Sequence, residues 1–157
     1  AELEIPEGGA EGMIVTEGGR FGGYGLFLST APLGGPLGVG RGKVVFLYNL
    51  LDLKRTVWEG PELKPGKHTI VFDFKSDGPG LGKGGTGVLS VDGKEVARNS
   101  MEHTIPVTFP EDETFDVGQD TRTGVALVKY RYDPPFKFTG KINKLTFKLE
   151  PERQAKR

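Results

Sequence analysis

The run Gly80-Leu81-Gly82-Lys83-Gly84-Gly85 has the spacing G-x-G-x-x-G. In a nucleotide site such a loop opens a helix whose first amides point at phosphate. Here it leads into Thr86-Gly87-Val88-Leu89-Ser90-Val91, a strand sequence, and Lys83 precedes Gly84 where a Walker-type loop needs Ser or Thr. Nucleotide binding is therefore not expected. The glycines suit a loop with positive-φ positions and close backbone packing, and Lys83 is a candidate contact to a ligand or partner. A second cluster places Glu111, Asp112, Glu113, Asp116 and Asp120 within ten residues. Calcium takes about six to eight oxygens, so Asp112, Asp116 and Asp120 are candidate ligands, although the EF-hand spacing is absent. The same residues suit turns in which an Asp side chain bonds its own backbone.

Other chemistry is sparsely provided. The chain has two His and no Cys, which excludes thiol nucleophiles, disulfides and Cys-ligated zinc. His68 lies beside a turn. His103 falls on the apolar side of an alternating run and reads as a hydrogen-bonded core histidine. A carboxylate pair for glycoside hydrolysis stays open, but no E-x-D-x-x-E cluster is present. Trp58 is the only Trp and alternates in phase with Lys54 and Thr56. It is either a partly exposed platform for a sugar or an interface, or the cover of a second sheet face under a loop.

These residues must be positioned by strands. The 157 residues include 25 Gly, 11 Pro and 10 Phe, and no amphipathic helical run stands out. Both faces of residues 43–49 are apolar, which predicts a central strand covered on both sides. In 69–74, Ile70, Phe72 and Phe74 form one face. Residues 100–109 alternate cleanly and predict a half-buried strand, with Pro106 marking an edge or bulge. Phe136, Phe138 and Ile142 are out of phase with Leu145, Phe147 and Leu149, so a final strand needs a β-bulge at Asn143-Lys144. Asp92-Gly93 predicts a two-residue hairpin turn, and Pro65-Gly66 a turn that feeds a strand. Residues 31–42 and 78–87 read as surface loops.

About ten strands without crossover helices predict an all-β fold, an antiparallel β-sandwich of jelly-roll or concanavalin A-like lectin type. One domain over 1–150 and a polar tail over 151–157 are expected. No stretch reaches membrane-spanning length, and the first six residues lack the basic and apolar regions of a secretory leader. Twenty-one basic and twenty-one acidic residues cancel, so neither a nucleic-acid nor a membrane partner is expected. Cys-free composition leaves the compartment open.

Several strings taken together carry a resemblance. In order they are FGGYGLFL (21–28), VFLYNL (45–50), LKPGKHT (63–69), DGPGLGKGGTG (77–87), VDGK (91–94), DETFDVGQD (112–120) and FKFTGKI (136–142). Across roughly 5–149 the chain resembles the C-terminal β-rich region of long bacterial arylsulfatases. That resemblance implies a preceding catalytic domain in the parent polypeptide, extracytoplasmic or periplasmic in some settings. The family's Cys/Ser-x-Pro-x-Arg signature is absent here, so no catalytic residue carries over and no enzyme activity or cofactor is expected of this chain. Two stretches depart from the pattern: 29–42 is longer, and Asp120 is followed by Thr-Arg-Thr-Gly-Val rather than Asp-Thr-Gly-Ser-Pro-Val. The resemblance implies an accessory domain that packs on the sulfatase catalytic domain, with Lys83 and Arg122 as candidate contacts to a sulfated substrate. The alternative is a lectin-like module for sulfated carbohydrate, with or without calcium.

Overall fold

The structure, a computed structural model, describes residues 1–30, 41–107, 113–126, 129–130 and 132–150. Ten strands form, and no helix occurs among the described residues: β1 (Glu2–Ile5), β2 (Gly12–Gly19), β3 (Gly22–Ser29), β4 (Lys43–Leu50), β5 (Lys54–Glu62), β6 (Gly66–Ser76), β7 (Gly85–Val91), β8 (Lys94–Met101), β9 (Phe115–Val117) and β10 (Lys141–Lys144). They make two antiparallel five-stranded sheets, ordered β10-β1-β6-β7-β8 and β5-β4-β3-β2-β9. The expected antiparallel β-sandwich therefore forms. Within it β2 to β5 and β6 to β8 run as two meanders, completed by the short strands β1, β9 and β10.

Two apolar cores explain the pattern along β4. Val44 and Phe46 join Leu3, Ile14, Leu26, Leu28, Ile70 and Leu89 between the sheets. Val45 and Leu47 lie on the other face with Met13 and Phe27, under a cover made by Val125, Ala126, Tyr130, Tyr132 and Phe136. A strand apolar on both faces is needed because both faces are buried, as its sequence predicts. Phe27 is the ring around which the outer core assembles. It packs against Tyr130, Tyr132 and Phe136 with centroids 5.4–6.3 Å away.

Trp58 corrects its functional reading. It is 1 % exposed and sits in the inter-sheet core, edge-on to Phe46 and Phe72. Its indole N–H donates to the Gly87 carbonyl at 2.8 Å. What covers it is the opposing sheet, not a loop, so it offers no platform to a sugar. The nearby edges of the two sheets also meet, since Asn99 donates its amide to the Val57 carbonyl at 3.1 Å.

The alternating run 100–109 is not a strand beyond Met101. Three local bonds take the chain across the end of the sandwich instead. Thr104 N–H donates to the Gly82 carbonyl, Thr104 Oγ to the Lys83 carbonyl, and Ile105 N–H to the Tyr48 hydroxyl. His103 is consequently exposed, and the core-histidine expectation is withdrawn. Residues 108–109 lie outside the described residues.

The last predicted strand is half realised. Leu3 pairs with Ile142 and Glu2 with Lys144, so Asn143 is the extra residue of a bulge at the expected place. Strand β10 ends there, and 145–149 have no strand assignment. Phe136 leaves the predicted strand altogether to fill the outer core, while Phe138 packs against the inner one.

The Asp92-Gly93 turn forms with both residues at positive φ, 51° and 78°, the backbone a type I′ turn requires. Asp92 Oδ1 accepts the Thr69 N–H at 2.8 Å, and Oδ2 lies 2.7 Å from His68 Nδ1. Burial opposes the charged form, but these bonds outweigh it and hold the Asp92 carboxyl below its ordinary value. Its contribution to stability is then full above the unfolded carboxyl range and is lost as pH falls through the folded value. Asp92→Ala is expected to cost about 1 kcal/mol in urea denaturation at neutral pH, with the loss shrinking toward strongly acid pH. A loss independent of pH would show that the carboxylate is not its source.

Candidate functional site

One end of the sandwich collects loops from both sheets. It comprises the β2–β3 tip at Arg20-Phe21, the β4–β5 tip at 51–53, the glycine-rich loop 77–84, the crossing segment 102–107 and the acidic stretch from Glu113 through Gly124. Continuous contacts tie them together. Arg20 N–H donates to Thr123 Oγ at 2.8 Å. Buried Asn49 donates its amide to the Gly19 and Arg20 carbonyls and accepts the Asp52 N–H. Arg55, its side chain almost wholly buried, ion-pairs with Asp52 at 2.8 Å and donates to the Val125 carbonyl at 3.0 Å. Asn49 and Arg55 hold this end together, and the sequence reading did not single them out. An Asn and an Arg flanking a hairpin tip carry no pattern that distinguishes them from solvated turn residues.

The glycine-rich loop is shaped by contact, not by a phosphate. Gly80 and Gly82 have positive φ. A Cβ at Gly84 would fall on the carbonyl oxygens of Met101 and Glu102, so only glycine lets this loop lie on the crossing segment. A strand does follow the loop, but β7 begins at Gly85, so 85–87 of the expected surface loop 78–87 belong to the sheet, with Gly85 and Gly87 buried, and no helix N-terminus follows the loop. Lys83 is exposed.

The acidic stretch folds on its own hydrogen bonds. Asp116 Oδ2 accepts from the Thr114 hydroxyl and from the N–H and hydroxyl of Thr121. These bonds and nearby Arg122 outweigh burial and keep the Asp116 carboxyl below its ordinary value. Glu113 accepts the Thr123 hydroxyl. Asp120 is 1 % exposed and accepts the Tyr132 hydroxyl at 2.6 Å. That hydroxyl in turn accepts the Val125 N–H at 3.1 Å. Burial pushes the Asp120 carboxyl up, the Tyr132 and Arg122 donors pull it back, and the charges of Asp116 and Glu113 add to the rise. Asp116 and Asp120 thus have protein partners, and Asp112 lies outside the described residues. Among the described residues no group of three or more His, Asp or Glu side chains is arranged to hold a metal.

Of the sequence-predicted contacts, Lys83 and Arg122 lie at this end, both exposed, and Trp58 does not face it. The same end carries exposed apolar tips, Phe21, Leu53, Leu81 and Val107. The recess here, lined by Leu50, Lys54, Thr56, Met101, Glu102 and His103, is about 30 Å³, room for a water and not a sugar. A wider groove runs between β5 and the β7–β8 hairpin, lined by Glu59, Gly60, Pro61, Val91, Lys94, Glu95 and Val96. Among the described residues its lining includes no aromatic ring on which a sugar could stack. Its carboxylates are engaged: Glu59 with the Tyr130 hydroxyl at 2.6 Å and Lys43 at 3.1 Å, and Glu95 with Arg98 at 2.7 Å. Both are held below the ordinary range, Glu59 chiefly by the Tyr130 bond and Glu95 chiefly by the Arg98 bond. A general acid needs the opposite shift.

No protein-family model matches the chain, and neither a curated protein nor a solved structure does.

Proposed function

We propose that this chain is a non-catalytic accessory β-sandwich of an arylsulfatase-like sulfuric ester hydrolase. It packs on the catalytic domain through the loop end and places Lys83 and Arg122 at the rim of the substrate cleft. The observation that supports this reading is convergence. The glycine-rich and acidic stretches, which carry the most distinctive part of the resemblance, are far apart in sequence and come to one end of the fold. Exposed apolar tips beside them suit a docking surface, and ammonium and guanidinium groups suit the oxygens of a sulfate ester. The carbohydrate-module alternative drew on Trp58, whose burial removes that support.

The test is made in the hydrolase that carries this domain. Lys83→Ala and Arg122→Ala are each expected to raise KM for sulfate esters about tenfold, the loss of one charge-assisted hydrogen bond, with kcat little changed. Unchanged KM and kcat in both variants would remove the cleft-rim role.

A further inference from the structure

Residues 144–150 read Lys-Leu-Thr-Phe-Lys-Leu-Glu. Leu145, Phe147 and Leu149 alternate with Thr146 and Lys148, and the composition is that of a strand. Yet β10 stops at Lys144. Among the described residues no backbone hydrogen bond joins 145–150 to a neighbouring strand. Phe147 is 51 % and Leu149 88 % exposed. Phe147 meets Phe115 of the edge strand β9 with ring centroids 5.6 Å apart, and Phe115 and Val117 also face solvent. A strand-forming segment with free N–H and C=O groups and one apolar face is a site for strand addition.

We propose that a second copy of this chain supplies the missing partner, pairing antiparallel through 144–150 about a two-fold axis at Phe147. Such an isologous pairing sets each residue against its mirror position. With the axis at Phe147, that residue meets its own copy, Leu145 meets Leu149, Thr146 meets Lys148, and Lys144 meets Glu150. Apolar residues oppose apolar ones, and the two ends of the ladder carry opposite charges. Neighbouring registers are worse. An axis at Thr146 puts Lys144 against Lys148, and one at Lys148 puts that lysine against itself. Like charges directly opposite are destabilising. An axis between Phe147 and Lys148 sets the aromatic against the lysine. The same argument that selects the register therefore selects the occupant, because the segment complements itself. The ladder is short, so the dimer dissociates on dilution. It stands apart from the hydrolase reading, since it uses the β9–β10 side of the fold and not Lys83 or Arg122.

Sedimentation equilibrium of this chain over a concentration series tests it. The wild-type chain is expected to show a monomer–dimer equilibrium. Lys148→Pro, which removes an N–H and cannot join a ladder, and Phe147→Asp are each expected to leave monomer only. Trp58 fluorescence, read in parallel, should stay that of a buried indole in both. Lys144→Glu and Glu150→Lys are each expected to weaken the dimer about tenfold, and the double variant to restore it. A wild-type chain that stays monomeric throughout would overturn the proposal. So would a dimer indifferent to Lys148→Pro and Phe147→Asp, or a charge swap that fails to restore pairing.

Discussion

Trp58→Ala is expected to destabilise the fold by about 3–5 kcal/mol, read as a shift of the urea midpoint at unchanged slope. The indole fills the space between the sheets where Phe46 and Phe72 stack with centroids 3.5 Å apart, and it lies against both. Removing it leaves a cavity that stacked rings cannot collapse to fill. It also removes the indole N–H that the Gly87 carbonyl accepts. Trp58→Phe separates the two effects: the ring is largely replaced but the donor is lost, so a smaller cost of about 1–3 kcal/mol is expected. The opposite substitution is equally constrained. A Cβ at Gly87 would press on the rings of Trp58 and Phe72, so the glycine is a fit to the indole. If Trp58→Ala cost less than 1 kcal/mol, by roughly the exposed-site standard, the inter-sheet position would be wrong.

The second large effect belongs to the cover over the outer core. Tyr132→Phe is expected to cost about 3 kcal/mol at neutral pH. One hydroxyl satisfies two buried groups at once, donating to Asp120 and accepting from Val125. Its loss leaves a buried carboxylate and a buried N–H without these partners. Asp120→Asn should behave differently, because the amide oxygen still accepts the Tyr132 hydroxyl and the buried charge is gone. The sign of the pH effect follows from the raised carboxyl. In the window between the unfolded and folded values the folded state binds more protons, so stability falls as pH rises. Asp120→Asn removes that slope and should match or exceed the wild type at neutral pH, the two converging in acid. Asp92 and Asp116 work in the opposite direction, so the difference between variant and wild type is the informative curve. An Asp120→Asn variant less stable than wild type at every pH would show that the charge is used, not merely tolerated.

Local chemistry was legible where short-range pattern decides structure. Period-2 runs located β4 and β6, because a strand's two faces are written into alternate residues. The double burial of β4, the Asp92-Gly93 turn and the bulge at Asn143 all follow from patterns a few residues long. The failures share one cause. Residues 100–109 have a strand's alternation, but after Met101 the Gly82 and Lys83 carbonyls and the Tyr48 hydroxyl offer closer partners than a neighbouring strand. His103 moved to the surface with that segment. Trp58 was placed on the correct parity, yet parity says only which residues share a face, not which face meets the other sheet. The candidate site shows the same division. Lys83 and Arg122 could be chosen by residue type, while their shared end, and the Asn49 and Arg55 that build it, depend on contacts spanning up to 103 of the 157 residues.

The sequence by itself determined the all-β class, the strand periodicity, the hairpin turn and the glycine requirement, because each rests on backbone sterics or on neighbours in the chain. Only the tertiary structure decided that Trp58 is core, that Asp120 is buried beneath Tyr132, that the loops carrying Lys83 and Arg122 come to one end, and that 145–150 has no backbone hydrogen-bond partner among the described residues. Those are properties of which surfaces meet. Surfaces meet to bury apolar area and satisfy hydrogen bonds across the whole fold, a sum that no local window contains.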